Sequence, residues 1–237
     1  MQQRPSLARR AGAEAIAAFC LVFAGCGAIV IDERGGRALG LLGVSIAFGL
    51  TALVMIYAVG HVSGAHMNPA VTCAFTLTRH LPWRDAVVYV TAQCAGATAG
   101  ALCLVAAWGS AVVQATTTLP SVSVTTALCY EAALTAVLMF VVMAVATDTR
   151  AVGGAAAIAV GGAITLTTLF GGPVVGGSVN PARSLGPAIA TAHWARLWIS
   201  LVAPIAGAAL GALLYQLVRG DDEGAPRPAS VPRKALS

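Results

Sequence analysis

Residues 178–188 read SVNPARSLGPA, and residues 65–75 read AHMNPAVTCAF. Both stretches contain the tripeptide Asn-Pro-Ala, which begins at Asn180 in one and at Asn68 in the other. Asparagine is a preferred helix N-cap and proline is favoured at the first helical position, so each tripeptide predicts the start of a helix. A single copy would indicate only a cap, whereas two copies at matched places indicate a repeated unit with a function.

The composition is that of an integral membrane protein. Of the 237 residues, 58% are hydrophobic and only 10% are charged, whereas a soluble domain carries about 25% charged residues. Six apolar runs reach the roughly 20 residues needed to cross a bilayer as a helix. They are continuous rather than alternating, which favours helices over a membrane barrel. We therefore expect one all-α membrane domain over residues 1–237, with spans at 11–31, 39–59, 86–107, 125–146, 153–170 and 197–218.

The basic residues predict how the chain is oriented. Cytoplasmic loops are enriched in Lys and Arg, and most of the 14 Lys and Arg fall on one side if both termini are cytoplasmic. We expect a multi-pass protein of the cell inner (plasma) membrane. The formal charge of +5 is explained by this asymmetry and by anionic lipid, so membrane lipid is a predicted partner and nucleic acid is not. The Pro-rich, charged segment 219–237 is predicted to be a disordered cytoplasmic tail.

Landmarks of the first half recur in the second half. Glu14 and Glu131 each lie early in a first span, and each half then has a second span and an Asn-Pro-Ala. The predicted repeats cover about 8–107 and 125–218. Because each repeat has three spans, the second copy enters the membrane from the opposite side, which places functional sites near the midplane.

Each Asn-Pro-Ala is followed by an apolar stretch too short to cross, at 69–77 and 181–190. The segments before them, GHVSGAH at 60–66 and GGPVVGGS at 171–178, are rich in glycine. Non-helical backbone at membrane depth is tolerated only where it is buried in protein or lines a water-filled cavity. The pattern therefore predicts two re-entrant half-helices and an interior pore.

The asparagine amides predict what happens inside this pore. When the side-chain oxygen caps a helix, the NH2 group remains as a pure donor. A water molecule between Asn68 and Asn180 would give both lone pairs to these donors, so a continuous proton wire would be interrupted. The positive ends of the two half-helices would oppose cations. The predicted pore motif comprises Asn68, Pro69, Ala70, Asn180, Pro181 and Ala182.

Backbone carbonyls of the glycine-rich segments are the predicted acceptors along the pore. His66 is predicted to brace its loop rather than bind a metal, because no other His or Cys lies at ligand spacing. The six cysteines lack CxxC spacing and are predicted to be small buried apolar residues, so no disulfide, metal or cofactor is expected. The predicted carbonyl positions are Gly64, Ala65, His66, Gly176, Gly177 and Ser178.

Three ionisable residues fall at membrane depth, where such residues are usually functional. Glu14 and Glu131 are predicted to accept hydrogen bonds from the N–H groups of the two re-entrant loops, with a proton relay as the alternative. Arg183 directly follows the second tripeptide. It is predicted to line the narrowest point of the pore, where fixed donors orient a neutral solute and repel cations, with snorkelling to the surface as the alternative.

Other functions fit the sequence less well. A secondary transporter also uses inverted repeats, but it needs a coupling-ion site or titrating group that the interior does not supply. The spans carry no Ser and His arrangement, paired Asp or HExxH motif, so we expect no enzyme and no catalytic residue. A cation channel would be opposed by both half-helix ends and by Arg183, and basic rings for anions are missing.

Three segments together resemble the aquaporin (major intrinsic protein) family. They are AFGLT at 47–51, GHVSGAHMNPAVT at 60–72 and SVNPARS at 178–184, and the likeness extends from Glu14 to Val218. The resemblance implies six membrane helices and two half-helices in an aquaporin-like right-handed bundle, a pore in each subunit, and a homotetramer. It also implies the half-helix barrier to protons and cations that is already established for aquaporin-type pores.

The resemblance also implies a selectivity filter, formed by Phe48, Thr168, Gly177 and Arg183. Strict water channels usually carry histidine where this chain has Thr168, so the filter is expected to be wider. Ser184 and Phe48 are typical of water channels, while Leu201 is typical of glycerol channels. We predict a passive channel for water and small uncharged solutes that excludes protons and ions. The alternative is a facilitator mainly for glycerol, urea or neutral metalloid acids such as arsenite.

Overall fold

The computed structural model describes residues 5–117, 122–148 and 153–220. Within these residues the regular structure is entirely helical, and six helices are long and apolar enough to cross a membrane. The predicted all-α membrane fold is confirmed, and each observed span overlaps its predicted counterpart. The first to sixth spans are Leu7–Arg34, Gly40–Ser63, Trp83–Trp108, Val124–Thr147, Ala156–Val175 and Leu197–Arg219. Shorter helical segments in the connections are Ser110–Gln114, Ala115–Thr117 and Gly153–Ala155.

The first span changes its helical type midway. It is α-helical over Leu7–Cys20, π-helical over Leu21–Cys26 and α-helical again over Gly27–Arg34. Near its end, the Asp32 carboxylate accepts hydrogen bonds from the backbone N–H groups of Leu39 (2.9 Å) and Gly40 (2.7 Å). The acidic side chain thereby satisfies donors at the start of the second span, where a negative charge is favoured.

Two short helices enter the bundle without crossing it. The first half-helix is Pro69–Leu77 and the second is Pro181–Thr191. At about 1.5 Å per residue they are roughly 14 and 17 Å long, or about half of the 30 Å hydrocarbon core. Both begin where the sequence predicts, and the second ends one residue later.

The helix contacts are equivalent in the two halves. The first span packs on the third, and the fourth packs on the sixth. Each half-helix then packs against the last span of the opposite half: the first half-helix on the sixth span, and the second half-helix on the third span. These crossed contacts join the two halves, and the two half-helices contact each other at the centre of the bundle.

Glycines allow these helix pairs to approach closely. An ideal Cβ built on Gly207 would lie 2.8 Å from the Ala132 carbonyl carbon, and one on Gly96 would lie 2.7 Å from that of Ala15. Real Cβ atoms do not come this close to backbone atoms. Van der Waals packing of small residues is a main source of helix association in membranes, because lipid removes the hydrophobic drive between helices.

The outer surface of the bundle is strongly apolar. Ile158 is 57% exposed and Leu217 is 79% exposed, as expected for side chains that meet lipid rather than water. Two of the predicted buried cysteines, Cys103 and Cys129, lie on this exterior because their helix positions face away from the bundle, so that prediction was wrong for them. Of the tail predicted at 219–237, residues 221–237 lie outside the described part of the chain.

We predict that Gly207→Ala lowers the free energy of unfolding by about 1–3 kcal/mol, because the added methyl group forces the fourth and sixth spans apart. The matched control is Gly162→Ala, since a Cβ at Gly162 meets nothing within 4 Å. The control should be neutral or slightly stabilising, because alanine favours helix over glycine by up to about 1 kcal/mol. Tryptophan-monitored thermal unfolding in detergent measures both variants, and equal transitions would contradict this account of the packing.

Candidate functional site

Each half-helix starts at an asparagine whose side chain caps it. Asn68 and Asn180 have extended backbones with φ of −151° and −152°. The Asn68 Oδ1 atom accepts the N–H of Ala70 at 2.9 Å, and the Asn180 Oδ1 atom accepts the N–H of Ala182 at 3.0 Å. Both amide oxygens are therefore turned toward their own helix, and both amide nitrogens are turned away from it.

The two amide nitrogens join the half-helices to each other. Asn68 Nδ2 donates to the carbonyl oxygen of Val179 at 2.8 Å, and Asn180 Nδ2 donates to that of Met67 at 2.9 Å. Each of these carbonyls belongs to the residue just before the opposite asparagine. An NH2 group has two N–H bonds, so each amide uses one to hold the opposite loop and keeps one for another acceptor. The sequence predicted the free donors but not these bonds.

The loops before the asparagines have a strained backbone. Met67 and Val179 have positive φ values of 53° and 44°. This left-handed region is unfavourable for residues with a side chain, and most of all for a β-branched valine. A non-glycine residue held there costs on the order of 1–3 kcal/mol and needs support from its surroundings.

Glu14 supplies this support on the first loop. Its carboxylate accepts the backbone N–H groups of His66 (2.9 Å) and Met67 (2.8 Å). It also accepts hydrogen bonds from the Ser63 hydroxyl and the Gln93 amide, each at 2.7 Å. The carboxylate is fully buried, so these donors replace the water that a free carboxylate would bind.

Glu131 occupies the equivalent place on the second loop. It accepts the backbone N–H groups of Ser178 at 2.7 Å and Val179 at 2.9 Å, one on each carboxylate oxygen. Glu131 is also fully buried. In both halves the carboxylate binds the residue with positive φ and the residue before it. The sequence predicted that the two glutamates accept loop N–H groups, but not which ones or the positive φ values.

His66 is held by its neighbours in the first loop. Its ring stacks on Phe75 with a centroid distance of 4.6 Å and meets the edge of Tyr89 at 5.3 Å. The Nδ1 atom lies 3.1 Å from the Thr72 hydroxyl oxygen. Among the residues that the structure describes, no cluster of His, Cys, Asp or Glu is placed to hold a metal ion.

Arg183 lies in the first turn of the second half-helix and is only 6% exposed. Its Nη1 atom donates to the carbonyl oxygen of Thr116 at 2.9 Å. Thr116 belongs to the short segment Ala115–Thr117 between the third and fourth spans. The Arg183 Cζ atom also lies 5.2 Å from the centroid of the Phe48 ring, within the range of a cation–π contact. The guanidinium is therefore fixed in the protein interior and does not reach out to the surface.

A narrow cavity of about 100 Å³ runs past these groups. Asn68 and Asn180 line it, as do all four predicted filter residues: Phe48, Thr168, Gly177 and Arg183. Five of the six predicted carbonyl positions also line it, namely Gly64, Ala65, His66, Gly177 and Ser178.

Gly176 is the exception among the predicted carbonyl positions. It caps the end of the fifth span with φ of 80°, and its N–H binds the Gly172 carbonyl. It lines an adjoining cavity of about 10 Å³ beside Ser184. The structure therefore does not bring Gly176 to the main cavity with the other five positions, and its role as an acceptor stays a prediction.

The proline and alanine of each tripeptide have a packing role. Within the two tripeptides, the asparagines line the main cavity and the other four residues do not. These four are buried at the starts of the half-helices: Pro69, Ala70, Pro181 and Ala182. Their small or rigid side chains allow the two helix ends to meet closely.

The sequence did not identify the apolar wall of the cavity. Apolar residues of the spans look alike in sequence, and only the packing decides which of them face inward. The apolar lining includes Leu21, Ile56, Leu138, Val142, Val160 and Ile164. Thr116, the carbonyl partner of Arg183, was also missed, because a connection between spans carries no sequence signal for such a contact.

The fold and site define a class of protein: a multi-pass α-helical membrane protein with two half-helices meeting around a narrow interior passage. Residues 1–215 match the family model described as "Major intrinsic protein". The chain is 49% identical over 207 residues to Aquaporin NIP1-4 of Oryza sativa subsp. japonica, covering 87% of this chain and 76% of that protein. It is 46% identical over 223 residues to Aquaporin NIP2-2 of Zea mays, covering 94% and 76%.

A solved structure of an aquaglyceroporin is also similar to this chain. The X-ray structure of the aquaglyceroporin from Plasmodium falciparum superposes with a TM-score of 0.81 and 25% identity, covering 90% of this chain and 97% of that one. The chain belongs to the major intrinsic protein family. The predicted family and the predicted function as a channel for water and small neutral solutes are confirmed at this level.

We predict that Glu131→Ala strongly destabilises the second loop. It leaves the buried N–H groups of Ser178 and Val179 without an acceptor, at a cost of about 1–3 kcal/mol each. Glu131→Gln, which keeps one acceptor oxygen, should lose about half as much. Glu33→Ala is the control, because Glu33 is exposed and forms a surface ion pair with Arg37, a contact worth about 0–1 kcal/mol. Thermal unfolding and water flux in vesicles measure the series, and a Glu131→Ala protein as stable and active as the control would contradict the role.

Proposed function

We propose that this chain is a passive channel that conducts water and small uncharged solutes along the cavity between the two half-helices, and excludes protons and ions. The observation that carries the proposal is the pair of capped asparagines, Asn68 and Asn180. Each keeps one N–H donor beside a cavity whose opposite wall is largely apolar.

This arrangement separates water transport from proton transport. A water molecule at the asparagines accepts hydrogen bonds from both amides, so its lone pairs are occupied. Its own protons then point away along the file in opposite directions, because the apolar wall offers no acceptor. Protons cannot hop through such a molecule, and the positive ends of the two half-helices add an electrostatic barrier, which is the established mechanism for aquaporin-type pores.

We propose that Phe48, Thr168, Gly177 and Arg183 form the selectivity filter. Arg183 uses one guanidinium nitrogen on Thr116 and presents its remaining donors to the passing solute. Phe48 supplies an apolar face on the same stretch of the cavity. A polyol has hydroxyl oxygens on one edge and C–H groups on the other, so a filter with one donor wall and one apolar wall matches it.

A second candidate is a facilitator mainly for glycerol, urea or neutral metalloid acids such as arsenite. It is favoured by two positions of the proposed filter that leave space: Thr168 has a small side chain and Gly177 has none. The similarity to a protein described as an aquaglyceroporin supports it as well. Comparison of water, glycerol and urea permeability of purified protein in vesicles decides between the two candidates.

The assembly and location are also part of the proposal. The channel acts as a homotetramer with one pore per subunit in the plasma membrane, surrounded by lipid and with both termini in the cytoplasm, and it has no enzymatic activity. The strongly apolar exterior and the one-sided distribution of basic residues support this arrangement. Residues 8–107 and 125–218 act as two inverted repeats, with Glu14, Glu131 and His66 as supports for the re-entrant loops.

We predict that Arg183→Val admits larger solutes and weakens cation exclusion, because it removes the fixed charge and widens the filter. Glycerol permeability should rise about tenfold, and a proton leak should appear in vesicles loaded with a pH-sensitive dye. Arg196→Val is the matched control, because Arg196 also donates to a backbone carbonyl, that of Val122 at 2.8 Å, but lies in the connection before the sixth span. An Arg183→Val channel with unchanged glycerol flux and no leak would contradict the proposed filter.

We predict that Thr168→His narrows the filter. The imidazole is larger than the threonine side chain and projects into the same cavity. Glycerol permeability should fall about tenfold while water permeability changes about twofold or less. Stopped-flow light scattering with glycerol and sucrose gradients measures both. If the glycerol flux stays the same, Thr168 does not face the conducting path.

A further inference from the structure

The first span carries a glycine directly behind the Phe48 ring. An ideal Cβ built on Gly25 would lie 2.8 Å from Phe48 Cζ, and closer still to Cδ1 and Cε1. Both residues are buried. The edge of the ring therefore occupies the space that any side chain at Gly25 would need.

Gly25 lies in the π-helical part of the first span, Leu21–Cys26. This segment contacts both the second span, which carries Phe48, and the second half-helix, which carries Arg183. Leu21, the first residue of the segment, lines the main cavity. Single π-helical turns are rare and are frequent at functional sites, where they alter which residues face inward.

The Phe48 ring also contacts the proposed filter. The ring centroid lies 5.2 Å from the Arg183 Cζ atom, and Phe48 lines the cavity together with Thr168 and Gly177. These last two residues are small, so they leave room in the cavity. One edge of the ring thus meets the backbone of the first span while the ring also lines the open cavity, so a ring displaced from Gly25 has free space on the cavity side.

We propose that Gly25 is a specificity-determining residue of this channel. It acts by positioning another residue. Because Gly25 has no side chain, the Phe48 ring packs directly against the backbone of the first span, and this position of the ring sets the size of the largest solute that passes Arg183. The inference rests on the proposed function, in which Phe48 is part of the filter. It adds a residue outside the lining of the cavity to the four that define the filter.

The direct test is Gly25→Ala. The added methyl group should displace the ring into the cavity, so that glycerol permeability falls about tenfold, the discrimination that one methylene gives at a tight site, while water permeability falls by no more than about threefold. Gly12→Ala is the matched control, because Gly12 lies in the same span and a Cβ there meets nothing within 4 Å. The control should keep the wild-type ratio of glycerol to water permeability.

A second-site variant separates positioning from a general loss of structure. Truncation of the ring in Gly25→Ala/Phe48→Leu should restore the ratio of glycerol to water permeability to within about threefold of wild type, since the smaller side chain again fits beside the first span. A fall in the ratio that the Phe48 truncation does not relieve would overturn the proposal, because the effect would not pass through the ring.

A third pair of variants covers the case in which Gly25→Ala does not fold. Phe48→Ala empties the space over Gly25 and should raise glycerol permeability about tenfold, and Phe48→Ala/Gly25→Val should lower it again because the valine side chain enters the vacated space. No difference between these two channels would overturn the proposal. An unchanged glycerol flux in Phe48→Ala alone would instead show that Phe48 is not part of the filter, which is a failure of the proposed function.

Discussion

The structure depends on the way two helix ends are held face to face inside the bundle. Each end is closed by an asparagine whose oxygen stays with its own helix and whose nitrogen binds the carbonyl just before the opposite asparagine. Because the two bonds are reciprocal, neither half-helix can shift without breaking both. The remaining N–H of each amide is left beside the cavity as a consequence of this closure, so the same side chain serves the fold and the conducting path.

This closure needs a backbone shape that the chain would not adopt alone. To bring their carbonyls to the opposite asparagine, Met67 and Val179 take positive φ values. The buried carboxylates of Glu14 and Glu131 hold this shape by accepting two consecutive N–H groups each. Because both carboxylates are fully buried, these N–H groups have no water to bind on that side. The cost of leaving them unpaired therefore exceeds the backbone strain, which is on the order of 1–3 kcal/mol per residue. Hydrogen bonding to the loop N–H groups is thus sufficient to account for the two buried carboxylates.

Local chemistry made part of this arrangement predictable from sequence. The caps and the half-helix starts follow from the Asn-Pro dipeptides, and the spans follow from continuous apolar runs. The predicted bounds of these helices therefore lie close to the observed bounds. Contacts between distant segments were not predictable in the same way. The hydrogen bond from Arg183 to the Thr116 carbonyl, the inward direction of Leu138 and the contact of the Phe48 ring with Gly25 all depend on how helices pack. A single sequence does not encode such packing in a local pattern. Gly64 and Gly176 cap their spans in the same left-handed conformation, yet only Gly64 lines the main cavity, so this difference also depends on packing.

In the proposed function, the interruption of the water file and the selection of solutes share one helical turn but depend mainly on different side chains, with the charge of Arg183 contributing to both. The Asn180 oxygen accepts the backbone N–H of Arg183 at 3.3 Å, so the amide at the centre and the guanidinium at the filter are fixed relative to each other. The position of the amide is set by backbone bonds and by Glu131. In the proposed filter, the opening at Arg183 is instead set by the side chains of Phe48 and Thr168. Side chains around the filter can therefore change in size while the caps and their reciprocal bonds stay in place. On this proposal a wider filter is compatible with the same central barrier, since the asparagine donors that would interrupt the water file are not among the side chains that set the width of the filter.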